Sequence, residues 1–498
     1  MNKLVRVVVF LGALLLVLAV MALLGTRSGE RRALQKYQAE LTAKGEKLTF
    51  AELTRGRQTN AVDSHTLLTN ATAKLGDRWI VPGLVELRRY VRPGRASVAW
   101  RQASARLAQS AEAGDTVTWE EFAAQLQASQ DALQEIREAL KHPGADAGPY
   151  TNMVMGQRVN FVAIRMAAQW LMGAAENELH QGRLEAGLQD LEAMTALARM
   201  ERNEPTLEAQ MIRVALAGLG LAATWDALQA PDWTEPQLAR LQAAWEPVDL
   251  VDALETGGIG ERACGVELFA IVRHSSGNRT GQSLPIDWGY GSSSPRATFE
   301  GFVSGYLSLP AYKLISINAD EIRYLKTSQE TVVALRLLKA HRPWPDVKQA
   351  LLKAGPQLIQ RASLLGRLRY PFSTMAIPDY IRASSVAIKV ETERQMTLAA
   401  IALRRSQLRH DKQPPSLEAL VPEFLPAVPY DYMSAKPLRY RLKPDGNYVL
   451  YSVGLDGKDD GGDPNLAPSA TPGLWGGRDA VWPSPVTEPE EPHRPRER

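Results

Sequence analysis

Residues 161–200 read FVAIRMAAQWLMGAAENELHQGRLEAGLQDLEAMTALARM, and this stretch decides the fold class. Apolar residues recur at roughly one-turn intervals on both sides of Gln181–Gly182. They are Trp170, Ala174 and Leu179 before the pair and Leu184, Leu188 and Leu191 after it. That spacing places one apolar stripe on each of two helices, and glycine is typical of a helix end. The stretch therefore predicts a hairpin of two helices.

The same helical patterning extends over most of residues 29–410, where alternating runs typical of strands are almost absent. Capping boxes predict helix starts at Thr49, Thr118 and Thr234. The 161–200 pair resembles one tetratricopeptide-type helix pair, but no second copy follows at a fixed period, so an ordinary hairpin is the other interpretation. We expect a mainly α protein built as an irregular array of helical hairpins.

Composition shifts divide the chain into units. Residues 274–297 are rich in Gly, Ser and Pro and predict a loop between a helical domain, 29–273, and a second helical part, 298–394. Residues 466–498 are rich in Pro, Glu, Arg and Gly, which predicts a disordered tail in which Trp475 and Trp482 could dock locally.

The overall charge and the cysteine content exclude several classes of function. The 498 residues carry 58 Lys and Arg against 55 Asp and Glu, a net charge of +3. A chain this balanced is not expected to bind nucleic acid. Cys264 is the only cysteine, so intramolecular disulfides, cysteine-rich zinc modules and iron–sulfur clusters are excluded. We expect a buried, inert thiol at this position.

An apolar stretch near the start predicts a membrane anchor, residues 1–28. Val7–Leu24 reads VVVFLGALLLVLAVMALL, which as a helix spans roughly 27 Å, close to the hydrocarbon thickness of a bilayer. A cleaved signal peptide and a buried soluble helix are the alternatives. Basic residues flank the stretch on both sides and leave its orientation open. We expect a single-pass protein of the cytoplasmic (inner) membrane with its body outside the cytoplasm, because long domains cross largely regardless of flanking charge.

One group of carboxylates is the best candidate for catalysis. The sequence contains no metalloprotease, phosphate-loop, dinucleotide or nucleophile-elbow motif. Glu255, Glu261 and Glu267 recur every six residues, and paired carboxylates can act as acid and base. Six residues rotate a helix by about 240°, however, so these side chains do not share a face. Three glycines predict a helix break before Glu261: Gly257, Gly258 and Gly260. Glu261 would then lie near a positive helix end, in a structural role.

The character of the sequence changes after His410. Pro414–Pro415 ends a long helix, and Ser416 begins a short SLEAL helix. Residues 438–442 and 448–453 alternate as strands around the Asp445–Gly446 turn, which predicts a β-hairpin. A loop rich in Gly and Asp, GLDGKDDGGDPN, follows.

This order of elements resembles the C-terminal part of the major pseudopilin of type II secretion systems. It resembles still more closely a group of uncharacterised, membrane-anchored bacterial proteins that end in the same unit. The resemblance covers residues 395–465 and implies an α+β unit, an extracytoplasmic location and a calcium-binding loop. Its ligand-bearing positions would be Asp456, Asp459, Asp460 and Asp463. The loop is one residue longer than is usual and lacks the later acidic ligands, so a solvated acidic turn is the other interpretation.

Together these features predict a non-catalytic, membrane-anchored envelope protein that acts as a scaffold or binds a protein partner, linked through the resemblance to a secretion or pilus-like system. No cofactor other than calcium is expected. The alternative is an envelope hydrolase with a site between helices near Glu261. A third possibility, a pseudopilin-type subunit, would require proteolytic removal of roughly the first 380 residues, as the position of the resemblance implies.

Overall fold

The structure, a computed structural model, describes residues 25–55, 64–75, 88–105, 117–141, 160–200, 202–274, 309–355, 369–375, 377–468 and 470–486. The predicted membrane span at Val7–Leu24 lies outside the described residues, as does almost all of the predicted loop at 274–297. The mainly α fold is confirmed, with small β-sheets added to it.

The helices follow one another along the chain with these bounds: α1 (25–43), α2 (Phe50–Leu53), α3 (Ser64–Ala73), α4 (Trp119–Ala128), α5 (Gln130–Lys141), α6 (Phe161–His180), α7 (Leu184–Met200), α8 (Leu207–Ala227), α9 (Glu235–Trp245), α10 (Val251–His274), α11 (Leu309–Ile315), α12 (Ile317–Lys339), α13 (Trp344–Ala354), α14 (Pro371–Met375) and α15 (Tyr380–His410). Short 3₁₀ turns occur at Ala99–Arg101, Leu417–Leu420 and Leu474–Gly476.

The hairpin predicted at 161–200 is present as α6 and α7. Gly182 has φ of +72° at the turn between them, a conformation that costs glycine little. Both helices pack with α8 around a core that contains Trp170, Leu188 and Leu221. The predicted capping boxes at Thr49 and Thr118 are also present, each with a glutamate that accepts from the cap backbone.

The break predicted at the glycines before Glu261 is wrong, because α10 runs without interruption from Val251 to His274. The glycines serve close packing. A Cβ on Gly260 would lie 1.6 Å from the carbonyl oxygen of Pro205, and one on Gly265 would lie 2.1 Å from the ring of Tyr324. Neighbouring segments can approach α10 this closely only where it lacks side chains, and this packing outweighs the poor helix propensity of glycine.

One helix in the described part of the chain, α8, is long and apolar enough to cross a membrane by length and composition. Of its most apolar window, 61% is buried inside the protein. Trp225 and Leu221 lie wholly in the interior. These contacts are those of a core helix in a globular body.

Within the described ranges, eight short strands form three small sheets: β1 (Arg89–Arg92), β2 (Arg95–Ser97), β3 (Tyr430–Asp431), β4 (Lys436–Pro437), β5 (Arg439–Leu442), β6 (Tyr448–Ser452), β7 (Ala480–Val481) and β8 (Ser484–Pro485). The predicted C-terminal hairpin is present as antiparallel β5 and β6, with Arg439 opposite Tyr451. The β1–β2 hairpin in the body was not predicted.

The prediction of a disordered tail from residue 466 is wrong for the part of it that the structure describes. Strand β7 pairs with β6, and β8 pairs in parallel with β2 from the body. The indole nitrogen of Trp225 donates to the carbonyl oxygen of Pro483 at 3.3 Å. Trp475 and Trp482 pack against the core. These apolar and backbone contacts hold residues whose composition alone suggested disorder.

Candidate binding cleft and buried carboxylates

A cleft of about 500 Å³ opens beside α10. Its walls come from the turn after α1, from the connection between α7 and α8, and from α10 and α12. The lining is mostly polar and carries both signs of charge, with these residues: Gly45, Glu46, Lys47, Leu53, Arg202, Asn203, Pro205, Asp252, Thr256, Ile259 and Arg336. Neither Glu261 nor Arg262 lines it.

Glu46 organises the floor of the cleft. Its two carboxylate oxygens accept from Arg336 at 2.5 and 3.1 Å, from Gln329 at 2.9 Å and from Arg262 at 2.9 Å. Burial acts to raise the pKa of Glu46, but these hydrogen bonds lower it to about 2. Glu46 is therefore ionised at neutral pH, and its oxygens already have several donors each.

Ion pairs continue this network along α10 and α12. Arg336 also donates to Glu255 at 2.7 Å, and Lys339 contacts Glu255 at 2.6 Å and Asp252 at 2.5 Å. Arg202 lies 3.8 Å from Asp252 and is about half exposed. The charged groups therefore cross-link the helices around the cleft, and Arg202 is the more loosely held cation at its mouth.

Glu261 lies in the middle of α10, so its predicted place near the positive end of its own helix is wrong. It lies instead at the N-terminal, positive end of α8. It is buried, and one carboxylate oxygen accepts from the backbone nitrogen of Leu207 at 3.2 Å. The other oxygen has no hydrogen-bond partner among the described residues. Burial raises the pKa of Glu261 to about 7, against the lowering effect of the Leu207 hydrogen bond. The carboxyl group therefore fixes the start of α8 and stands apart from the cleft.

The three glutamates predicted as a possible catalytic group have separate partners. Glu255 binds Arg336 and Lys339, Glu261 binds the start of α8, and an oxygen of Glu267 accepts from the backbone of Phe50 at 3.2 Å. Their six-residue spacing turns them to different neighbours, as the helix geometry predicts. Each glutamate thus joins α10 to a different segment.

Cys264 is buried, as predicted. Burial, with Glu261 and Glu267 adding to it, raises the pKa of its thiol well above the usual value. A thiol held protonated in this way is a poor nucleophile.

In the C-terminal loop the aspartates engage protein groups. Asp459 accepts from Arg439 at 3.0 Å and from the hydroxyl of Tyr451 at 3.0 Å. Asp456 and Asp463 accept from backbone nitrogens two residues further on. The backbone nitrogens of Asp460, Gly462 and Asp463 all donate to the carboxylate of Asp479 at 2.8–3.3 Å. The loop therefore folds around Asp479.

No local pattern marks Asp479 as part of the loop, because it lies 16 residues beyond Asp463 in the segment predicted to be disordered. No group of three or more His, Cys, Asp and Glu side chains is arranged to hold a metal ion in the ranges that the structure describes. The calcium loop remains a prediction.

A second group of buried carboxyls was also missed. Glu176 on α6 has two buried oxygens without a hydrogen-bond partner in the described structure, and the same is true of one oxygen of Asp226 on α8. The other oxygen of Asp226 accepts from the backbone of Ala99 at 3.0 Å. Burial raises the pKa of Asp226 to about 7 and, with Asp226 adding to it, raises that of Glu176 well above its usual value. The one signal of this group in the sequence is the presence of isolated acidic residues within otherwise apolar helical stretches.

Comparisons with known proteins provide no relative for this chain: no family model, no curated protein and no solved structure matches it.

Proposed function

We propose that this chain is a non-catalytic, membrane-anchored envelope protein that acts as a scaffold or binds a protein partner outside the cytoplasm. The observation that carries the proposal is the packing of α1, which follows the predicted span directly. Leu34 and Leu41 of α1 are buried against Leu325 of α12, with Val266 of α10 alongside. A membrane helix would therefore continue into the folded body without a flexible linker, which suits a protein that holds a partner at a set distance from the bilayer.

The arrangement of the α10 glutamates supports a non-catalytic role. A hydrolase near Glu261 would need that carboxylate, a second one and a cleft to meet at one place. Glu261 instead binds the start of α8, and Glu255 is engaged by Arg336 and Lys339. Glu261 also does not line the cleft, and this separation supports the non-catalytic role over a hydrolase near Glu261.

The C-terminal unit supports a location outside the cytoplasm through its resemblance to pseudopilins, and the link to a secretion or pilus-like system rests on the same resemblance. Release of this unit as a separate subunit is disfavoured by its contacts. The preceding helix, α15, packs with α8, α9 and α10. Beyond it, the carbonyl oxygen of Phe424 accepts from Gln242 at 2.7 Å, and that of Tyr432 accepts from the backbone of Trp344 at 3.0 Å.

Three measurements test the proposal. A reporter that is active only outside the cytoplasm, fused after Arg498, should be active in cells, and the full-length protein should resist carbonate extraction from membranes. Crosslinking in native membranes should then recover a protein partner. A silent export reporter together with an active cytoplasmic reporter would contradict a location outside the cytoplasm. Release of the protein from membranes by carbonate would contradict the membrane anchor.

Replacement of Glu261 separates the scaffold from the hydrolase. Glu261→Gln keeps the acceptor for Leu207 but adds a buried amide donor without a partner, so it should alter the stability of the protein while preserving any envelope phenotype rescued by the wild type. The matched control is Glu330→Gln, which removes a carboxylate from α12. Loss of rescue in Glu261→Gln alone, at normal abundance and melting temperature, would support the hydrolase instead.

A further inference from the structure

Four basic side chains surround the first turns of α1: Arg27, Arg31, Arg32 and Lys36, here called the basic collar. All four are exposed. At 100° per residue they lie within about half of the helix circumference. Leu34 and Leu41 lie just outside this half, about 20–40° around the helix from Arg27, and are buried against the body. The collar therefore occupies the helix faces that the body leaves exposed.

The collar has little internal compensation. Among the described residues, no carboxylate forms an ion pair with any of its four members. Glu30, the acidic residue within the same segment, lies 3.5 Å from Arg369, which is itself a further cation. The nearest protein contact of a collar head group is the donation from Arg32 to the carbonyl oxygen of Ser28 at 3.3 Å. These exposed side chains are therefore available to an anionic partner.

The position of the collar relative to the predicted span defines that partner. If α1 continues the membrane helix past Leu24, a rise of about 1.5 Å per residue puts Arg27 roughly 5 Å beyond the span, Arg31 and Arg32 roughly 11 Å, and Lys36 roughly 18 Å. The polar headgroup region is several ångströms thick on each face of a bilayer, and its surface potential extends about one Debye length, near 10 Å, further. The three arginines fall within this zone, and Lys36 reaches its outer edge.

We propose that the basic collar binds the phosphate groups of anionic phospholipids in the leaflet from which the body emerges. Arginine suits this role because its planar guanidinium donates two parallel hydrogen bonds to one phosphate. Since Leu34 and Leu41 fix α1 to the body, lipid bound at the collar also fixes how the body sits on the membrane. The inference rests on the membrane anchoring proposed above.

The test uses the full-length protein reconstituted in phosphatidylcholine vesicles that contain phosphatidylglycerol. Spin-labelled forms of each lipid report, by electron paramagnetic resonance, the fraction of that lipid restricted by the protein. One Lys or Arg near an anionic surface favours binding about fivefold, so phosphatidylglycerol should be preferred over phosphatidylcholine by at least about that factor. The preference should fall steeply in high salt.

A quadruple variant, R27Q/R31Q/R32Q/K36Q, should reduce the preference to near one while the protein stays in the vesicles. The matched control replaces four exposed lysines far from α1 in sequence and should keep the preference: K348Q/K412Q/K443Q/K458Q. An anchored wild type without lipid preference would overturn the inference alone, whereas a protein that carbonate strips from vesicles would overturn the proposed anchoring. Loss of a co-purified protein from the quadruple variant, with lipid preference unchanged, would assign the collar to protein binding and also overturn it.

Discussion

The buried carboxyl group of Asp226 should make the stability of the protein fall as pH rises. Asp226 is fully buried, and one of its oxygens has no partner in the described structure. Its pKa is about 7 in the folded protein, against an ordinary value of 3.8. The folded state therefore holds this proton more tightly than the unfolded state does, so stability is complete below about pH 4 and declines as pH rises towards 7.

The size of the effect on stability follows from the pKa of Asp226 in the unfolded and folded states. The pKa rises from 3.8 to about 7 on folding. At about 1.36 kcal/mol per pKa unit, this rise corresponds to about 4 kcal/mol of unfolding free energy. Asp226→Asn removes this dependence. The amide oxygen can still accept from Ala99, while the amide nitrogen adds a pH-independent cost of about 1–3 kcal/mol as an unpaired buried donor. The variant should thus gain about 4 kcal/mol on the wild type between pH 4 and 8.

Melting temperatures of the full-length protein and of Asp226→Asn, measured from pH 4 to 8, provide the assay. If the whole chain melts as one unit, the difference between the two should change by about 4 °C over this range. Asp232→Asn is the control, because Asp232 is exposed, and its curve should parallel that of the wild type. Parallel curves for Asp226→Asn as well would refute the reasoning, since they would mean that folding does not change the proton affinity of Asp226.

Three further predictions concern packing and the C-terminal loop. Gly260→Ala should lower the free energy of unfolding by about 1–3 kcal/mol or more through overpacking. Gly218→Ala should raise it by up to about 1 kcal/mol, because the nearest atom to a Cβ at that position is 3.7 Å away. Equal shifts of the two variants in urea titrations would contradict this prediction. Asp479→Ala should lower the melting temperature and increase amide exchange across 460–463, because three donors lose their acceptor; unchanged exchange would contradict this. If the loop binds calcium, a hundredfold excess of calcium over Kd should stabilise the protein by about 2.7 kcal/mol. The double variant Asp456→Ala with Asp459→Ala should abolish this effect. Identical wild-type melting curves in calcium and in chelator would contradict calcium binding.

Local signals in the sequence predicted the local structure. The α6–α7 hairpin, the capping box at Thr118 and the hairpin around Asp445–Gly446 each depend on residues within a few positions of one another. Apolar spacing, cap hydrogen bonds and turn conformations are decided by neighbours along the chain, so they can be read without knowledge of the fold.

Contacts between segments far apart in the chain decided the features that local sequence patterns did not predict. Gly260 is needed within α10 because Pro205 packs against it. Ser484–Pro485 forms a strand because it pairs with β2, almost 390 residues earlier. Glu46 and Arg336 are 290 positions apart, and their pairing forms the floor of the cleft. From the sequence by itself, helix geometry predicted that glutamates spaced six residues apart do not share a face, but the glycines before Glu261 wrongly predicted a break. Only the tertiary structure decided that the carboxyl group of Glu261 is buried at the start of α8, because burial and hydrogen-bond partners depend on which helices pack together.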